Sequence, residues 1–528
     1  MSDEFLSFPS SFIWATATAA YQVEGANQSD GEVTHYRFSI CWTRILPNGY
    51  ISNINEKGIA FYRSLLEELK INGIEPIVTL FHADYPFELY EKGGWLNEEC
   101  ITWYLDYCHL CFSRFGDLVK YWISFNEISM HAWCGVTMFE GQPRHSPETQ
   151  EYSIPKRKVP YVAAHNMLLA HGKAYRMYEK EFRKTQNGKF GIVVGGRWCK
   201  TFSSSPEDIA AAQRALDWSF NWTVAPIFGE KGDYPEHMKK EIQMLEKAEN
   251  QEIMPRFTEQ EITMLKGSAD FCGINYYLTN EVLAGDGPSQ MEKDAHFDYL
   301  DGRWEKISGK NSWLRYVPEG LLELLEYIRD NYGNIPVLIT ENGCDDSSEE
   351  KVDVLCDQHR IRYIKGHIET VRKALQRGCN VIGYTVWSLM DNFEWDAGFA
   401  MKFGLYRVDF DSPSKTRRIK NSGIFFKNFL SQMRKDGMLG KHHVKMGTEL
   451  CLERNSSDMN MDRHISEEVQ EKQRISWKGV CVFERVSGES REIVLSEING
   501  INKTANSSWT FGNRQGERGP MLQVREFG

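Results

Sequence analysis

Two glutamates each stand after an apolar run of the kind that forms a buried β-strand. Glu127 follows Tyr121–Phe125 and one asparagine, and Glu341 follows Val337–Thr340 and precedes an Asn-Gly pair. A carboxylate fixed at the end of a strand can act as a nucleophile or exchange a proton with a bound molecule. Taken alone, either glutamate could instead pair with a cation or cap a helix. The fold that carries them decides whether the two glutamates can act together.

Short apolar runs rich in β-forming residues alternate with longer amphipathic runs over most of the chain. Eight short runs predict strands, at Phe12–Ala17, Tyr36–Cys41, Glu75–Phe81, Tyr121–Phe125, Phe190–Val194, Phe271–Asn275, Val337–Thr340 and Val381–Val386. Five amphipathic runs predict helices, at Ala60–Ile71, Tyr161–Phe182, Gly320–Tyr332, Asp357–Gln376 and Ser422–Met433. The alternation predicts an α/β fold, a (β/α)8 TIM barrel, whose catalytic groups lie at the carboxyl ends of its strands. A doubly wound sheet is the alternative, but no glycine-rich phosphate turn follows the first strand.

The connection between the first two predicted strands is too short for a barrel. After the loop reaches Gly25, only the polar segment Ala26–His35 remains before Tyr36 opens the second strand. Parallel neighbours normally need a crossover of about a dozen residues or more, usually with a helix. We therefore expect a barrel without its first outer helix. The loss should expose core surface and cost many kcal/mol against a total stability of about 5–15 kcal/mol. An exon skip, a gene-model error and a lineage-specific loss would all give this sequence.

Charge and composition restrict the partners and the location. The 528 residues have a formal net charge of −11, which argues against nucleic acid or an anionic membrane as a partner. The first twenty residues contain Asp3 and Glu4 and do not resemble a secretory signal. No stretch of the sequence has the length and apolarity of a transmembrane helix. We therefore expect a cytoplasmic protein.

Cysteine and tryptophan are plentiful, but neither indicates a site by itself. Cys108 and Cys111 form a C-x-x-C motif within a helical-looking apolar stretch, and no second pair stands at a metal-site spacing. The motif therefore favours buried core thiols over a metal or redox site. The 15 Trp could stack on sugar rings, although core packing is their commoner use. No metal and no cofactor is predicted.

The character of the chain changes after about residue 440. Residues 441–528 are rich in Ser, Asn, Glu, Arg and Lys, with apolar clusters only near Gly479–Phe483 and Ile493–Leu495. Such a segment buries too little apolar surface to offset the entropy of ordering it. We predict a barrel domain over 1–440 and a largely disordered extension over 441–528 that contains one hairpin at most.

Several motifs stand in an order that resembles glycoside hydrolase family 1, from about Phe8 to about Phe429. Two surround the glutamates, Phe125–Glu127 and Ile339–Gly343. The others are Ala19–Asn27, Tyr36–Trp42, Arg44–Gly49, Gly93–Trp95, Gly273–Tyr277 and Trp387–Trp395. So many ordered matches make a chance resemblance negligible.

The resemblance implies a retaining mechanism with two carboxyl groups about 5–5.5 Å apart. Glu341 would be the nucleophile that forms a glycosyl-enzyme, and Glu127 would be the general acid and then the general base. Arg37 would support the ionised form of Glu341 through its charge, and Tyr277 would donate a hydrogen bond to it. The charge of Glu341 would in turn keep Glu127 protonated until the covalent bond forms.

The resemblance also implies a set of sugar contacts. Taken alone, His82 would more often be a core histidine with its hydrogen bonds satisfied, and Trp387 or Trp395 would more often pack in the core. Asn126 would bind the 2-hydroxyl, and Glu394 would accept hydrogen bonds from two hydroxyls at the far end of the sugar, which disfavours phosphorylated sugars. The full set is Gln22, His82, Asn126, Tyr277, Trp387, Glu394 and Trp395. The sequence departs from the family pattern at Ala83, where an aromatic residue is usual, and at Ile128, where proline is usual.

Three functions follow from these features. The first is a retaining β-glycosidase that hydrolyses O-β-glucosides, with β-galactosides as a second substrate class and small-molecule or oligosaccharide glycosides as its partners. The second is a non-catalytic binding module like the klotho-type members of the family, which commonly lack a catalytic glutamate. The third is an inactive, incomplete family member. The presence of both Glu127 and Glu341 favours the enzyme.

Overall fold

The computed structural model describes residues 8–23, 33–134, 155–300, 304–308, 312–346 and 355–436, together with the backbone of two strands at 481–486 and 489–494. The chain divides into two compact units, Met1–Val444 and Lys445–Gly528. Among the described residues, no helix is both long enough and apolar enough to cross a membrane.

Eight parallel strands form a closed barrel in the first unit. They are β1 (Ile13–Ala17), β2 (His35–Ser39), β3 (Glu75–Phe81), β4 (Tyr121–Asn126), β5 (Lys189–Gly195), β7 (Phe271–Asn275), β10 (Val337–Asn342) and β11 (Val381–Trp387), and their order around the barrel is β1-β11-β10-β7-β5-β4-β3-β2. Three further strands form a small sheet beside it, β6 (Trp198–Thr201), β8 (Thr279–Ala284) and β9 (Phe297–Leu300), while β12 (Tyr406–Val408) pairs with β13 (Arg417–Ile419). All eight predicted barrel strands are confirmed, with ends shifted by at most two residues.

The barrel strands are apolar because they are buried on both faces. One face fills the inside of the barrel with the side chains Ile13, Ala15, Ile77, Ile123, Val193, Phe271 and Leu338. The other face packs against the outer helices, which explains the nearly continuous apolar runs. This interior is a packed core, so the functional groups lie at the ends of the strands.

Outer helices follow the strands. They are α1 (Ala20–Val23), α2 (Trp42–Ile45), α3 (Glu56–Ile71), α4 (Phe87–Glu91), α5 (Glu99–Phe115), α6 (Ile128–Met130), α7 (Val159–Met177), α8 (Arg183–Gln186), α9 (Pro206–Leu216), α10 (Trp222–Phe228), α11 (Glu236–Glu249), α12 (Glu259–Leu265), α13 (Gln290–Ala295), α14 (Pro318–Asn331), α15 (Gln358–Gln376) and α16 (Asn421–Lys435). The five predicted helices correspond to α3, α7, α14, α15 and α16. Cys108 and Cys111 are buried side chains of α5, as predicted.

In the described part of the connection between β1 and β2, the only helix is the four-residue α1. The prediction that the first outer helix is missing is therefore confirmed for that part. The two strands nevertheless pair directly, with Thr16 opposite Tyr36 and Ala17 opposite Arg37. The predicted exposure of core surface is not found on these two strands. The outward-facing side chains of these strands stay covered, with Trp14 at 0% exposure and Phe38 at 4%.

Aromatic side chains from neighbouring elements explain this coverage. The Trp14 ring lies 4.9 Å from Phe8 and 4.8 Å from Phe12, and 5.1 Å from Phe429 of α16, centroid to centroid. The strongly buried Phe38 ring stacks 6.5 Å from Tyr62 of α3. Large rings cover a strand surface that a helix normally covers, because each one buries a large apolar area.

In the second unit, β14 (Cys481–Val486) and β15 (Glu489–Val494) form an antiparallel pair, with Cys481 opposite Val494 and Val486 opposite Glu489. This hairpin lies where the sequence has its two apolar clusters. The disorder predicted for the rest of 441–528 falls outside the described residues.

Candidate active site

The nucleophile candidate, Glu341, is held on both carboxylate oxygens. It lies near the end of β10 and is buried. Arg37 of β2 donates from Nη1 to Oε1 at 2.6 Å, and the Tyr277 hydroxyl donates to Oε2 at 2.8 Å. Arg37 also donates to the backbone oxygen of Thr340 at 3.2 Å, which fixes the guanidinium against the same strand. Two charge-assisted hydrogen bonds therefore set the orientation of this carboxylate.

The acid/base candidate, Glu127, follows β4 in a left-handed backbone conformation with φ of 49°. Such a conformation is uncommon for a residue with a side chain and occurs often at functional sites. Its N–H donates to the backbone oxygen of Val193 in β5 at 2.9 Å, so the turn remains tied to the barrel. The carboxylate Oε1 accepts a hydrogen bond from Asn275 Nδ2 at 2.6 Å. The turn and this hydrogen bond together aim the carboxyl group.

Two asparagines connect the two glutamates. Asn126 Oδ1 accepts from Arg37 Nη2 at 2.7 Å and from Asn275 Nδ2 at 3.0 Å. Asn275 Oδ1 accepts from the Thr340 hydroxyl at 2.7 Å, next to Glu341. The network therefore joins the ends of β2, β4, β7 and β10. Sequence reasoning missed Asn275, although it lies inside the Gly273–Tyr277 motif and ends a barrel strand.

The surroundings of the two glutamates support their negative charges unequally. Burial raises the pKa of Glu127 to about 7, and the charge of Glu341 adds to this rise. Burial also raises the pKa of Glu341, but the charge and hydrogen bond of Arg37 and the hydrogen bond of Tyr277 oppose the rise. The predicted influence of Arg37 is therefore present, although burial outweighs it. Because Glu341 has the stronger support for its charge, Glu127 is the better proton carrier of the two.

The remaining predicted residues surround one pocket at the same end of the barrel. Gln22 donates from Nε2 to Glu394 Oε2 at 3.3 Å and to the Phe393 backbone oxygen at 3.1 Å. Burial, followed by the charge of Glu341, raises the pKa of Glu394 to about 8. Asn126 Nδ2 lies 3.2 Å from His82 Nε2, which ties this pocket to the glutamate network.

His82 lies between two tryptophans. Its ring is nearly parallel to that of Trp387, with centroids 6.1 Å apart, and to that of Trp395, at 6.2 Å. Burial lowers the pKa of His82 well below its ordinary value, and the charge of Arg37 lowers it further, so the imidazole is neutral. His82 Nδ1 and Gln22 Oε1 are buried polar atoms without a hydrogen-bond partner among the described residues. Such atoms are typical of a pocket that binds a polar molecule.

The loop that carries Trp387 and Glu394 is anchored from behind, by residues that sequence reasoning did not single out. The buried carboxylate of Asp391 accepts from Lys420 Nζ at 2.8 Å and from the Gly404 N–H at 3.0 Å. At Gly343, a Cβ would lie 1.8 Å from the backbone oxygen of Trp387, so only glycine permits this approach. The nucleophile strand and the pocket loop are therefore packed backbone to backbone.

Every site residue predicted from the sequence thus lies at one end of the barrel. A buried carboxylate pair in which one member has stronger support for its charge can perform nucleophilic substitution with proton transfer. Of the two departures from the family pattern, Ala83 adopts φ of 60° and Ile128 is fully buried behind Glu127. Within the described ranges, no group of three or more His, Cys, Asp or Glu side chains is arranged to hold a metal.

Comparison with known families identifies the same region of the chain. The family described as Glycosyl hydrolase family 1 matches residues 5–34 and 32–435. The match is in two pieces, and the break falls in the short connection before β2. The matched residues cover the barrel and all of the site described above.

Individual proteins agree with this match. Myrosinase 1 of Brevicoryne brassicae is 36% identical over 473 residues, covering 80% of this chain and 98% of that protein. The cytosolic β-glucosidase of Homo sapiens is 34% identical over 464 residues, covering 78% and 95%. A solved structure of a mutant rice Os3BGlu6 β-glucosidase, in a covalent complex with Glc from GA4GE, is 34% identical with a TM-score of 0.70, covering 80% and 98%.

Proposed function

Because this chain belongs to glycosyl hydrolase family 1, we propose that Glu341 is the nucleophile and Glu127 the general acid and base of its retaining β-glucosidase reaction. The chain is a glycoside hydrolase of the β-glucosidase type, as its relatives are. The observation that carries the assignment is the unequal support of the two carboxylates. Glu341 accepts hydrogen bonds from Arg37 and Tyr277, whereas Glu127 accepts one from a neutral amide.

In the first step, a Glu341 carboxylate oxygen attacks the anomeric carbon of a β-glucoside. The bond from that carbon to the aglycone oxygen breaks as Glu127 transfers its proton to that oxygen. Products are the free aglycone alcohol and an ester between Glu341 and the sugar. A Glu127 pKa of about 7 supports this step, because an appreciable fraction is protonated near neutral pH.

In the second step, the now ionised Glu127 takes a proton from a water molecule. The resulting hydroxide oxygen bonds to the anomeric carbon and the ester bond to Glu341 breaks, which regenerates both carboxyl groups. Two inversions at the same carbon retain the β configuration. Arg37 and Tyr277 stabilise the carboxylate of Glu341 as it leaves.

The pocket beside the glutamates accepts the sugar ring. Asn126 accepts hydrogen bonds from Arg37 and Asn275, the residues that donate to Glu341 and Glu127. This position between the two glutamates suits a contact with the 2-hydroxyl of the sugar. Glu394 and Gln22 lie together farther from the network and present acceptors and a donor to the hydroxyls at the other end. In its ionised form Glu394 would repel a phosphate, so unphosphorylated glucosides are the proposed substrates, with β-galactosides as a second class.

We also propose a cytosolic location. Ten cysteines of the described residues are free, and most of them are buried. Reduced thiols are typical of the cytosol. A relative that is named a cytosolic β-glucosidase supports the same location. Fluorescence of the tagged full-length chain in its own cells tests this proposal, and a signal confined to secretory compartments would contradict it.

Release of nitrophenol from an aryl β-glucoside tests the assigned roles. The native chain should hydrolyse it, and Glu341→Ala should lose essentially all of this activity while retaining its fold. Glu326→Gln, on the outer helix α14 and away from the site, is the matched control and should keep full activity. A folded native chain without activity would favour a binding role, and an active Glu341→Ala variant would refute the nucleophile assignment.

A further inference from the structure

The strand order separates a sugar side of the site from an aglycone side. The strands β11, β1, β2 and β3 are consecutive and form one arc of the barrel. Three of the predicted sugar contacts belong to this arc: Gln22 follows β1, His82 follows β3 and Trp387 ends β11. Glu127 after β4 and Glu341 in β10 lie at the two ends of this arc. The strands that remain on the other side are β5 and β7. Because Glu127 protonates the aglycone oxygen in the proposed reaction, we place the aglycone on the β5 side of Glu127, away from the proposed sugar contacts.

The end of β5 leaves room for such a group. Gly195 has no side chain, and a Cβ placed there would lie 3.6 Å from Glu127 Oε2 and 3.7 Å from Met130 Cγ, at ordinary contact distance. Met130 is 43% exposed, although it is a large apolar side chain. The wall beside the acid/base glutamate is therefore bare backbone flanked by an accessible apolar side chain.

A cationic side chain, Arg197, stands two residues beyond this bare wall. Its guanidinium carbon lies 5.1 Å from the centre of the Tyr299 ring, and the residue is half-buried. The positive charge of Arg197 acts on the Glu127 carboxyl and lowers its pKa, which is consistent with a position next to the acid/base group.

Arg197 differs from Arg37 and Arg360 in having no counter-ion among the described residues. Arg37 and Arg360 are buried and paired with Glu341 and Asp357. Arg197 forms no ion pair with a carboxylate in the part of the chain that the structure describes. A cation withdrawn from water and stacked on an aromatic ring retains its capacity for a bidentate bond to an anion.

We propose that Arg197 recognises an anionic group, such as a carboxylate or sulfate, on the aglycone of the β-glucosides that this chain hydrolyses. The inference rests on the proposed function and adds the charge of the leaving group. Without Arg197, the negative charge of Glu341 would repel such a substrate. Arg197 therefore determines specificity, and the bond-breaking steps remain those of Glu341 and Glu127.

The test compares two aryl glucosides that differ in charge, a carboxy-nitrophenyl β-glucoside and its methyl ester. The value of kcat/KM for the acid divided by that for the ester is measured in the native chain and in Arg197→Met. Comparing ratios between proteins cancels the difference in leaving-group reactivity. We expect this ratio to be lower in Arg197→Met by about tenfold or more, because the variant loses one charge-assisted hydrogen bond to the acid. Arg197→Lys, which keeps the charge, should restore part of it.

Arg362→Met is the matched control. Arg362 also lies over a tyrosine ring, at 4.6 Å from Tyr316, but it is paired with Glu305 and lies outside the site. A second measurement uses the native chain alone. Because salt screens the attraction between Arg197 and the anionic aglycone, the acid-to-ester ratio should fall as ionic strength rises from about 0.05 M to 0.5 M.

An unchanged ratio in a folded Arg197→Met variant, or an equal fall in Arg362→Met, would overturn the inference and leave the proposed function intact. If Arg197→Met does not fold, a native ratio that is independent of salt would overturn the inference instead. If the native chain hydrolyses neither glucoside, the proposed function fails and the inference fails with it.

Discussion

Replacing Glu341 by glutamine should make Glu127 a stronger acid. The substitution keeps the shape of the side chain and removes its negative charge. That charge is the second cause, after burial, of the rise in the Glu127 pKa to about 7. In the proposed catalytic cycle the same charge disappears when Glu341 becomes an ester, so the variant reproduces the electrostatics of that intermediate. A fall in the pKa at that point would convert Glu127 from an acid into a base.

The size of the fall follows from Coulomb's law. Two unit charges about 5 Å apart, the spacing of retaining glycosidases, interact by about 3 kcal/mol at an effective dielectric constant of about 20. One pKa unit corresponds to about 1.4 kcal/mol, so the pKa can fall by at most about two. Burial persists in the variant and keeps the pKa above the ordinary 4.5. We therefore expect a Glu127 pKa of roughly 5 to 6 in Glu341→Gln.

The assay is carbon NMR titration of protein labelled at glutamate side chains. The Glu127 signal is assigned by its absence from the double variant Glu341→Gln, Glu127→Gln. In the single variant only one member of the pair titrates, so the measured pKa belongs to Glu127 alone. A pKa that stays at 7 or rises would refute the electrostatic coupling between the two carboxyl groups.

Four further outcomes are expected. In the native chain kcat/KM should fall above a pH of about 7, because Glu127 must hold its proton for the first step. Glu127→Gln should lose this alkaline limb of the pH–rate profile and should hydrolyse substrates with poor leaving groups much less well than activated aryl glucosides. A uniform loss of activity across leaving groups would count against the acid role. Asn275→Ala removes a hydrogen bond that favours the ionised form of Glu127. The alkaline limb of the pH–rate profile should therefore move to higher pH by about one unit, and an unchanged profile would contradict this. Glu394→Gln should raise KM for glucosides by about tenfold or more through the loss of charge-assisted hydrogen bonds, and an unchanged KM would exclude Glu394 from sugar binding. Trp14→Ala removes a fully buried ring and should lower the free energy of unfolding by about 3–5 kcal/mol in denaturant titrations. A loss below about 1 kcal/mol would show that the packing of Trp14 does not stabilise the region where the helix is missing.

The barrel was predictable because its strands are buried on both faces and so read as continuous apolar runs. Helices with a wide apolar stripe, such as α15, were predictable for the same reason. The helix α11 was not predicted, since only Met238 and Ile242 of its residues are buried and the stripe is too narrow to detect. A capping box of Thr258 with Glu261 marks the start of α12 and is a usable signal that the apolar pattern alone does not contain.

The positions of Glu127 and Glu341 and of their hydrogen-bond partners could be predicted because they lie inside recognisable motifs at strand ends. The contacts of Asn275 could not, since a single asparagine after an apolar run has many possible partners and its role depends on which strands meet. The coverage of Trp14 was mispredicted for a related reason. It depends on aromatic residues distant in sequence, such as Phe429, that only the closed barrel brings together.

The central claim is that Glu341 forms a covalent bond with the sugar, and a slow substrate tests it most directly. An activated 2-deoxy-2-fluoro-β-glucoside forms the glycosyl-enzyme faster than water can break it, because the fluorine destabilises both transition states and the good leaving group accelerates only the first step. Incubation followed by proteolysis and mass spectrometry should find one sugar per chain, on the peptide that contains Glu341 and at that residue. Sugar attached to Glu127, or continued turnover of β-glucosides by a chain that never carries the label, would contradict the account.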